Sequence, residues 1–137
     1  EFKKLNKTQD HKFFNNELYY LLKKYLGPIA LMSFDLKLIN YLSKKLPNIK
    51  RGLVLEKYDY NKKIYSSNVE NVITENQMQK NEISFVSFEY SKLTKEFYNI
   101  NKTKKRNVIA WTINSKLDAI KMKNFCDTIT FEGFKPI

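Results

Sequence analysis

Along the chain, short apolar runs alternate with stretches whose apolar residues recur every three or four positions. Phe14, Leu18, Leu21, Leu22 and Tyr25 fall at helical spacing, and Gly27-Pro28 ends that element. Ile29-Ala30-Leu31-Met32-Ser33-Phe34 then reads as a buried strand. Asp35 follows as an N-cap, with Leu38, Ile39, Leu42 and Leu46 on one helix face and Pro47 as the stop. Gly52-Leu53-Val54-Leu55 is a second buried strand. The polar stretch from Asp59 to Ser67 reads as a loop, and Val69, Val72 and Ile73 as a short helix after it. Ile83 to Phe88 is a third strand, and Ser91 is placed to cap a helix carrying Leu93, Phe97 and Ile100. Val108 to Ile113 is a fourth. Ser115 and Asp118 make a near capping box for a helix with Leu117, Ile120 and Phe125 on its apolar face. Thr128 to Phe131 is the fifth strand.

Strands and helices alternating in this way predict an α/β fold with a parallel sheet and right-handed crossovers. Two architectures satisfy the pattern: an open doubly wound sheet, or part of a (β/α) barrel. The chain has only three glycines and no glycine-rich phosphate loop, so the nucleotide-binding form of the open sheet has no support. Periodicity does not choose further.

Composition narrows the function classes. The 137 residues suit a single domain, residues 1–137, and 42% hydrophobic content is enough to fold it. No apolar run approaches the roughly 20 residues needed to span a bilayer. No signal peptide is visible, and the cytoplasm is the favoured compartment. The chain begins at Glu1 and not at Met, as a processed product or a fragment would. The single cysteine, Cys126, excludes an internal disulfide and reads as small core filler before the last strand. A net charge of +11 raises nucleic-acid binding as a function. Against it, only Arg51 and Arg106 are arginines, and base readout favours Arg. The lysines are spread along the chain. The densest run, Lys102 to Arg106, precedes a strand and reads as a solvated loop. No nucleic-acid partner is expected, although the charge suits phosphate-bearing substrates or anionic membrane surfaces.

Certain phrases and their order are more specific. Ser33-Phe34-Asp35 closes a strand and opens a helix ending at Leu46-Pro47. Trp111-Thr112-Ile113-Asn114 closes a later strand. Asp127-Thr128-Ile129-Thr130 opens the last, with Pro136 beyond. Glu1-Phe2-Lys3 stands at the start. In this order they resemble the second half of the glycerophosphodiester phosphodiesterase family, over essentially the whole chain and weakest from Tyr58 to Asn81. The resemblance implies a partial TIM-type barrel, about strands three to eight of eight, with outer helices. Several family features are absent: the His-Arg-Gly motif, the Glu-x-Asp pair and the second histidine belong to strands outside this sequence. Two others are changed. Phe131-Glu132 follows Thr130 where the family has Asp, and Phe125 replaces a Gly.

The resemblance implies metal-assisted hydrolysis of a glycerophosphodiester to glycerol 3-phosphate and an alcohol. A divalent cation, Mg²⁺ or Ca²⁺, would neutralise phosphate charge through carboxylate ligands, and two histidines would act as acid and base. Glu1 matches the metal-binding Glu. Lys3 would face the same rim and hold a phosphate oxygen. Trp111 and Phe34 would wall the substrate pocket, the competing role for each being core packing. Glu56, Glu89 and Glu132 are strand-end carboxylates that a solvated position explains equally well. His11 is the only histidine and falls in a polar segment before the first helix. No catalytic residue is therefore assigned.

Six strands do not close a barrel and would expose two parallel edges. A longer chain, or a second chain, is expected to complete it. The sequence as it stands is expected to be inactive. The other reading is a non-catalytic remnant or binding module for anionic or phosphorylated ligands.

Overall fold

The computed structural model describes residues 1–2 and 11–135. The first helix, α1 (His11–Lys24), buries Leu18 and Leu22 and leaves Leu21 exposed, as is Tyr25 just beyond its end, so only part of the apolar set faces the core. His11 opens this helix instead of preceding it. Strand β1 (Ala30–Ser33) leads into α2 (Leu36–Lys45), whose Ile39 and Leu42 are fully buried. Leu18, Leu22, Leu31, Leu38 and Leu42 form one apolar cluster binding α1 to α2 and β1.

Asp35 caps α2 as its sequence position predicts. Its Oδ1 accepts from the backbone N–H of Lys37 at 2.8 Å and of Leu38 at 3.4 Å. Replacing Asp35 with Ala is expected to cost about 1 kcal/mol in urea unfolding, because two helix N–H groups lose their partner.

Strand β2 (Lys50–Leu55) lies beside β1 and is followed by a part of the fold that the sequence reading missed. Between Lys57 and Thr74 stands a small antiparallel sheet: β3 (Lys57–Asp59), β4 (Ile64–Ser66) and β5 (Ile73–Thr74). The expected loop and short helix are thus a hairpin and a strand. Asp59 makes the hairpin turn by accepting from the N–H groups of Asn61 and Lys62, both at 3.0 Å. Tyr65 and Ile73 are fully buried beneath it.

Helix α3 (Glu75–Lys80) starts only here, with Thr74 and Gln77 forming a capping box. Strand β6 (Ile83–Glu89) follows. Ser91 caps no α-helix; a single 3₁₀ turn over Tyr90–Lys92 intervenes, and Thr94 caps α4 (Lys95–Thr103) through the N–H of Phe97. Strand β7 (Asn107–Ile113), α5 (Lys116–Met122) and β8 (Thr128–Phe131) complete the order. Ser115 caps α5 through the N–H of Asp118, as expected.

The five main strands form one curled parallel sheet in the order β1-β2-β6-β7-β8 with flanking helices, which is half of a barrel. Of the six strands expected, five are full. The sixth is marked only by Phe2, which makes a parallel bridge to Ser33 on the outer edge of β1. That is where the end of strand three belongs in the sequence reading.

The two faces of the sheet differ. The helix-facing residues Leu53, Leu55, Val86, Phe88, Val108 and Ala110 are buried with Phe97 and Tyr65 in the main core. The other face is concave. Its register places Val54 beside Ser87, Ser87 beside Ile109, and Glu89 beside Trp111. Gly52 belongs to this face: a side chain there would meet the Phe85 ring at 2.3 Å.

Both arginines turn out to be scaffold. Arg51 is buried and donates to the carbonyls of Leu46, Pro47, Ile49 and Asn81, and it pairs with Glu82 at 2.5 Å. Arg106 forks onto Glu75 at 2.5 and 3.1 Å. The Lys102–Arg106 run is therefore not merely a solvated loop: Lys104 joins Glu75 at 2.6 Å and Lys102 joins Asp127 at 3.0 Å. Nucleic-acid binding loses its two most suitable side chains to these contacts.

Candidate functional site

A cleft of about 650 Å³ opens on the concave face at the C-terminal ends of the strands. In closed (β/α) barrels this rim is where loops and strand ends assemble active sites. Met32 and Phe34 contribute from β1 and its end, Glu56 from the end of β2, and Ser87 from β6. Trp111 and Thr112 come from β7, and Thr130 from β8. Glu1 stands at one side. Three of the four residues singled out from the sequence, Glu1, Phe34 and Trp111, thus line one cleft. Lys3 lies outside the described residues.

Local structure explains how the Ser33-Phe34-Asp35 phrase builds the site. Ser33 Oγ donates to the Phe2 carbonyl at 2.5 Å and accepts from the Asp35 N–H at 3.1 Å, tying the start of the chain to β1 and α2. Asp35 caps the helix. Phe34, held between them, meets Trp111 edge to face, with centroids 5.8 Å apart and planes at 84°.

The Trp111-Thr112-Ile113-Asn114 phrase also has a local reason. Pairing with β8 runs from Ala110↔Ile129 to Ile113↔Phe131, so β7 carries one extra residue across Trp111-Thr112. The alternation of faces is broken there, and both residues reach the cleft. The peptide bond between them is cis.

Asn68 and Val69, which close another side, were not foreseen. They belong to the turn between β4 and β5. Ser67 holds this turn: its Oγ donates to the Phe34 carbonyl at 2.9 Å and accepts from the N–H groups of Val69 and Glu70 at 3.2 and 3.0 Å. The run Ser66-Ser67-Asn68 is a readable turn signal, but nothing local says that it folds back onto a strand more than thirty residues earlier.

Among the described residues lining the cleft, two are carboxylates, Glu1 and Glu56, and none is a lysine, arginine or histidine. This local balance is opposite to the chain's net charge of +11. Glu89 is engaged elsewhere by Lys92 and Ser91, whose hydrogen bonds hold its carboxyl below the usual range. Glu132 is exposed beyond β8. Among the described residues no three His, Cys, Asp or Glu side chains stand together as a metal site. Mg²⁺ or Ca²⁺ takes six or more oxygens, some of them water. Glu1 and Glu56 alone do not make a complete ligand set, so no chemical step of this chain is derived through a metal.

Two other residues settle into structural roles. Cys126 is buried, its Sγ donates to the Met122 carbonyl at 3.3 Å, and burial pushes its thiol pKa up. It is core filler, as the sequence indicates. Asp127 sits at the opposite end of the sheet and accepts from the Val108 N–H at 2.7 Å. Burial works against its ionised form, but that N–H together with Lys102 and Tyr98 holds its pKa below the usual value. Among the described residues no helix is long and apolar enough to cross a membrane.

Solved structures share this fold. A phosphodiesterase of Oleispira antarctica, in complex with the product sn-glycerol-3-phosphate, superposes with a TM-score of 0.70 at 16% identity, over 85% of this chain and 44% of that one. A candidate glycerophosphodiester phosphodiesterase of Galdieria sulphuraria gives 0.71 at 16% identity, over 94% and 51%. A glycerophosphodiester phosphodiesterase of Parabacteroides distasonis gives 0.62 at 14% identity, over 94% and 50%. No family model and no curated protein matches the chain. The fold is therefore that of part of a glycerophosphodiester phosphodiesterase barrel. The chain spans about half the length of these structures.

Proposed function

We propose that this chain is the substrate-side part of a phosphodiesterase-like barrel that takes a glycerophosphodiester. Strands outside this sequence, from the same polypeptide or from a second one, would supply the histidines and the remaining metal ligands. The observation that carries this reading is the meeting of Glu1, Phe34 and Trp111, from three distant segments, in one rim cleft. Phe34 and Trp111 form an apolar wall suited to the carbon skeleton of a glycerol moiety. Glu1 and Glu56 give the rim an anionic edge that would attract a divalent cation, and the cation in turn would accept phosphate oxygens. Lys3 would add a point charge for phosphate.

The edges of the sheet support incompleteness. Among the described residues β8 pairs only with β7, and the Phe2 bridge is the sole pairing on the outer side of β1. Leu117 and Ile120 of α5, expected from the sequence to face a core, are 62% and 58% exposed. In a closed barrel a further strand and helix cover these positions.

A release assay for sn-glycerol 3-phosphate, with Mg²⁺ or Ca²⁺ present, tests the reading. The 137-residue chain alone is expected to give no turnover, and the chain extended by its upstream coding sequence is expected to turn over. Metal-saturated silence of the extended form, with phosphorylated ligands still bound in a salt-sensitive way, would favour the non-catalytic binding module instead.

A further inference from the structure

We infer that Ser87 is a specificity-determining residue that reads a hydroxyl group of the ligand from the floor of the cleft. The inference rests on the glycerophosphodiester reading and deepens it. Ser87 lies mid-strand in β6 and is 1% exposed, and its Oγ has no hydrogen-bond partner. Trp111 Nε1 is likewise buried without a partner. Both residues line the same cleft. On the register Ser87 is one layer deeper than Trp111 on the concave face, since Glu89 pairs with Trp111 and Ser87 with Ile109.

A buried polar atom without a partner carries a desolvation cost, and native folds keep few of them. Both atoms belong to residues that line one cleft, and a ligand oxygen admitted there would remove these costs. The indole N–H only donates, whereas the serine hydroxyl donates or accepts. A hydroxyl group, which also does both, satisfies the pair. An anionic oxygen does not suit the floor. Met32, Phe34 and Val69 are among its lining, no lysine or arginine is among the described lining residues, and two carboxylates stand at its rim. The phosphate would stay at the rim and the polyol end would enter. Because its Oγ has almost no accessible surface, Ser87 would reach the ligand oxygen by turning about χ1 between staggered wells.

Trp111 is the only tryptophan in the sequence, so its fluorescence reports the cleft directly. The 137-residue chain would be titrated with sn-glycerol 3-phosphate and with methyl phosphate, which lacks the hydroxyls. Ser87→Ala is expected to weaken sn-glycerol 3-phosphate by about 5-fold, the worth of one neutral hydrogen bond, and to leave methyl phosphate unchanged. Ser87→Thr, which keeps the hydroxyl, is expected to restore the preference. Ser87→Ala is also expected to raise the ligand-free melting temperature by about 4 °C, because an unpaired buried hydroxyl is removed. Equal weakening of both ligands, or a lower melting temperature, would overturn the inference while leaving the glycerophosphodiester reading in place. No fluorescence response of the parent chain to sn-glycerol 3-phosphate would overturn the inference and leave that reading in place where the extended chain releases sn-glycerol 3-phosphate, and would remove both where the extended chain is silent as well.

Discussion

Replacing Glu75 with Gln is expected to lower the unfolding free energy by about 3 kcal/mol, the usual cost of leaving one partner of a buried ion pair unmatched. Arg106 is 3% exposed, and its guanidinium forks onto both Glu75 oxygens. Lys104 and the Tyr65 hydroxyl also donate to Glu75, at 2.6 and 3.1 Å. Burial by itself would raise the Glu75 pKa; the hydrogen bonds and charges of Arg106 and Lys104 outweigh it and hold the value at about 2. Burial, with Glu75 beside it, pushes the Tyr65 hydroxyl pKa up. Because the carboxyl is more acidic in the folded state, its stabilisation is complete above the ordinary value of 4.5 and fades as pH falls through about 2. Urea midpoints of the parent chain should therefore drop over that acidic window, and those of Glu75→Gln should drop less. Adding Arg106→Met to Glu75→Gln is expected to recover part of the loss, since the stranded guanidinium is its source. An unchanged urea midpoint in the single variant would mean that water replaces the carboxylate at Arg106.

Phe97→Ala is expected to be at least as damaging, at about 4 kcal/mol for an aromatic ring deleted from a closed core. The ring is fully buried and stands 4.1 Å from Phe88, 5.6 Å from Tyr58 and 6.2 Å from Tyr65, centroid to centroid. It is the point where α4, β6 and the β3–β4 hairpin meet. The consequence reaches the cleft, because the same hairpin leads to the turn of Asn68 and Val69. Amide exchange at Val69 and Glu70, whose N–H groups Ser67 holds, is expected to speed up more than exchange in β2 and β6. Uniform acceleration across the sheet would show instead that the hairpin does not open as a separate unit.

Glu75 and Phe97 thus hold the small sheet against the main sheet from its two ends, and the small sheet supplies one wall of the cleft. Phe97 was marked by the sequence as part of a helix's apolar face, and Glu75 was not marked at all. Glu75 stands in a polar run, and its partner Arg106 is 31 residues away. Four of the main strands were legible because each is a largely apolar run covered by helices on one side, and the fifth, Thr128–Phe131, because it is a run of β-branched and aromatic residues. The caps Asp35 and Ser115 were legible because capping is a contact over two or three residues. The small sheet was not, because strands of two or three residues are too short for alternation to register against a polar background. The cap of α4 moved from Ser91 to Thr94 because a 3₁₀ turn uses the intervening residues, a choice between two adequate caps that local sequence does not make.

Half of the cleft was legible in the same way. Phe34 and Trp111 stand in phrases at strand ends, and strand ends of parallel α/β units converge on one rim. Glu1 followed from its phrase alone. Ser87 was invisible, because a serine in an apolar strand carries no pattern of its own.

The order of the five main strands, their parallel sheet and the positions of their ends were written in the sequence, because apolar periodicity and caps act over a few residues. The tertiary structure alone decided which arginines are spent on the scaffold, which loop walls the cleft, and which polar atoms are left unpaired on its floor. Those outcomes depend on contacts between segments about thirty residues apart, and on the one-residue slip of β7 against β8 that turns both Trp111 and Thr112 into the cleft.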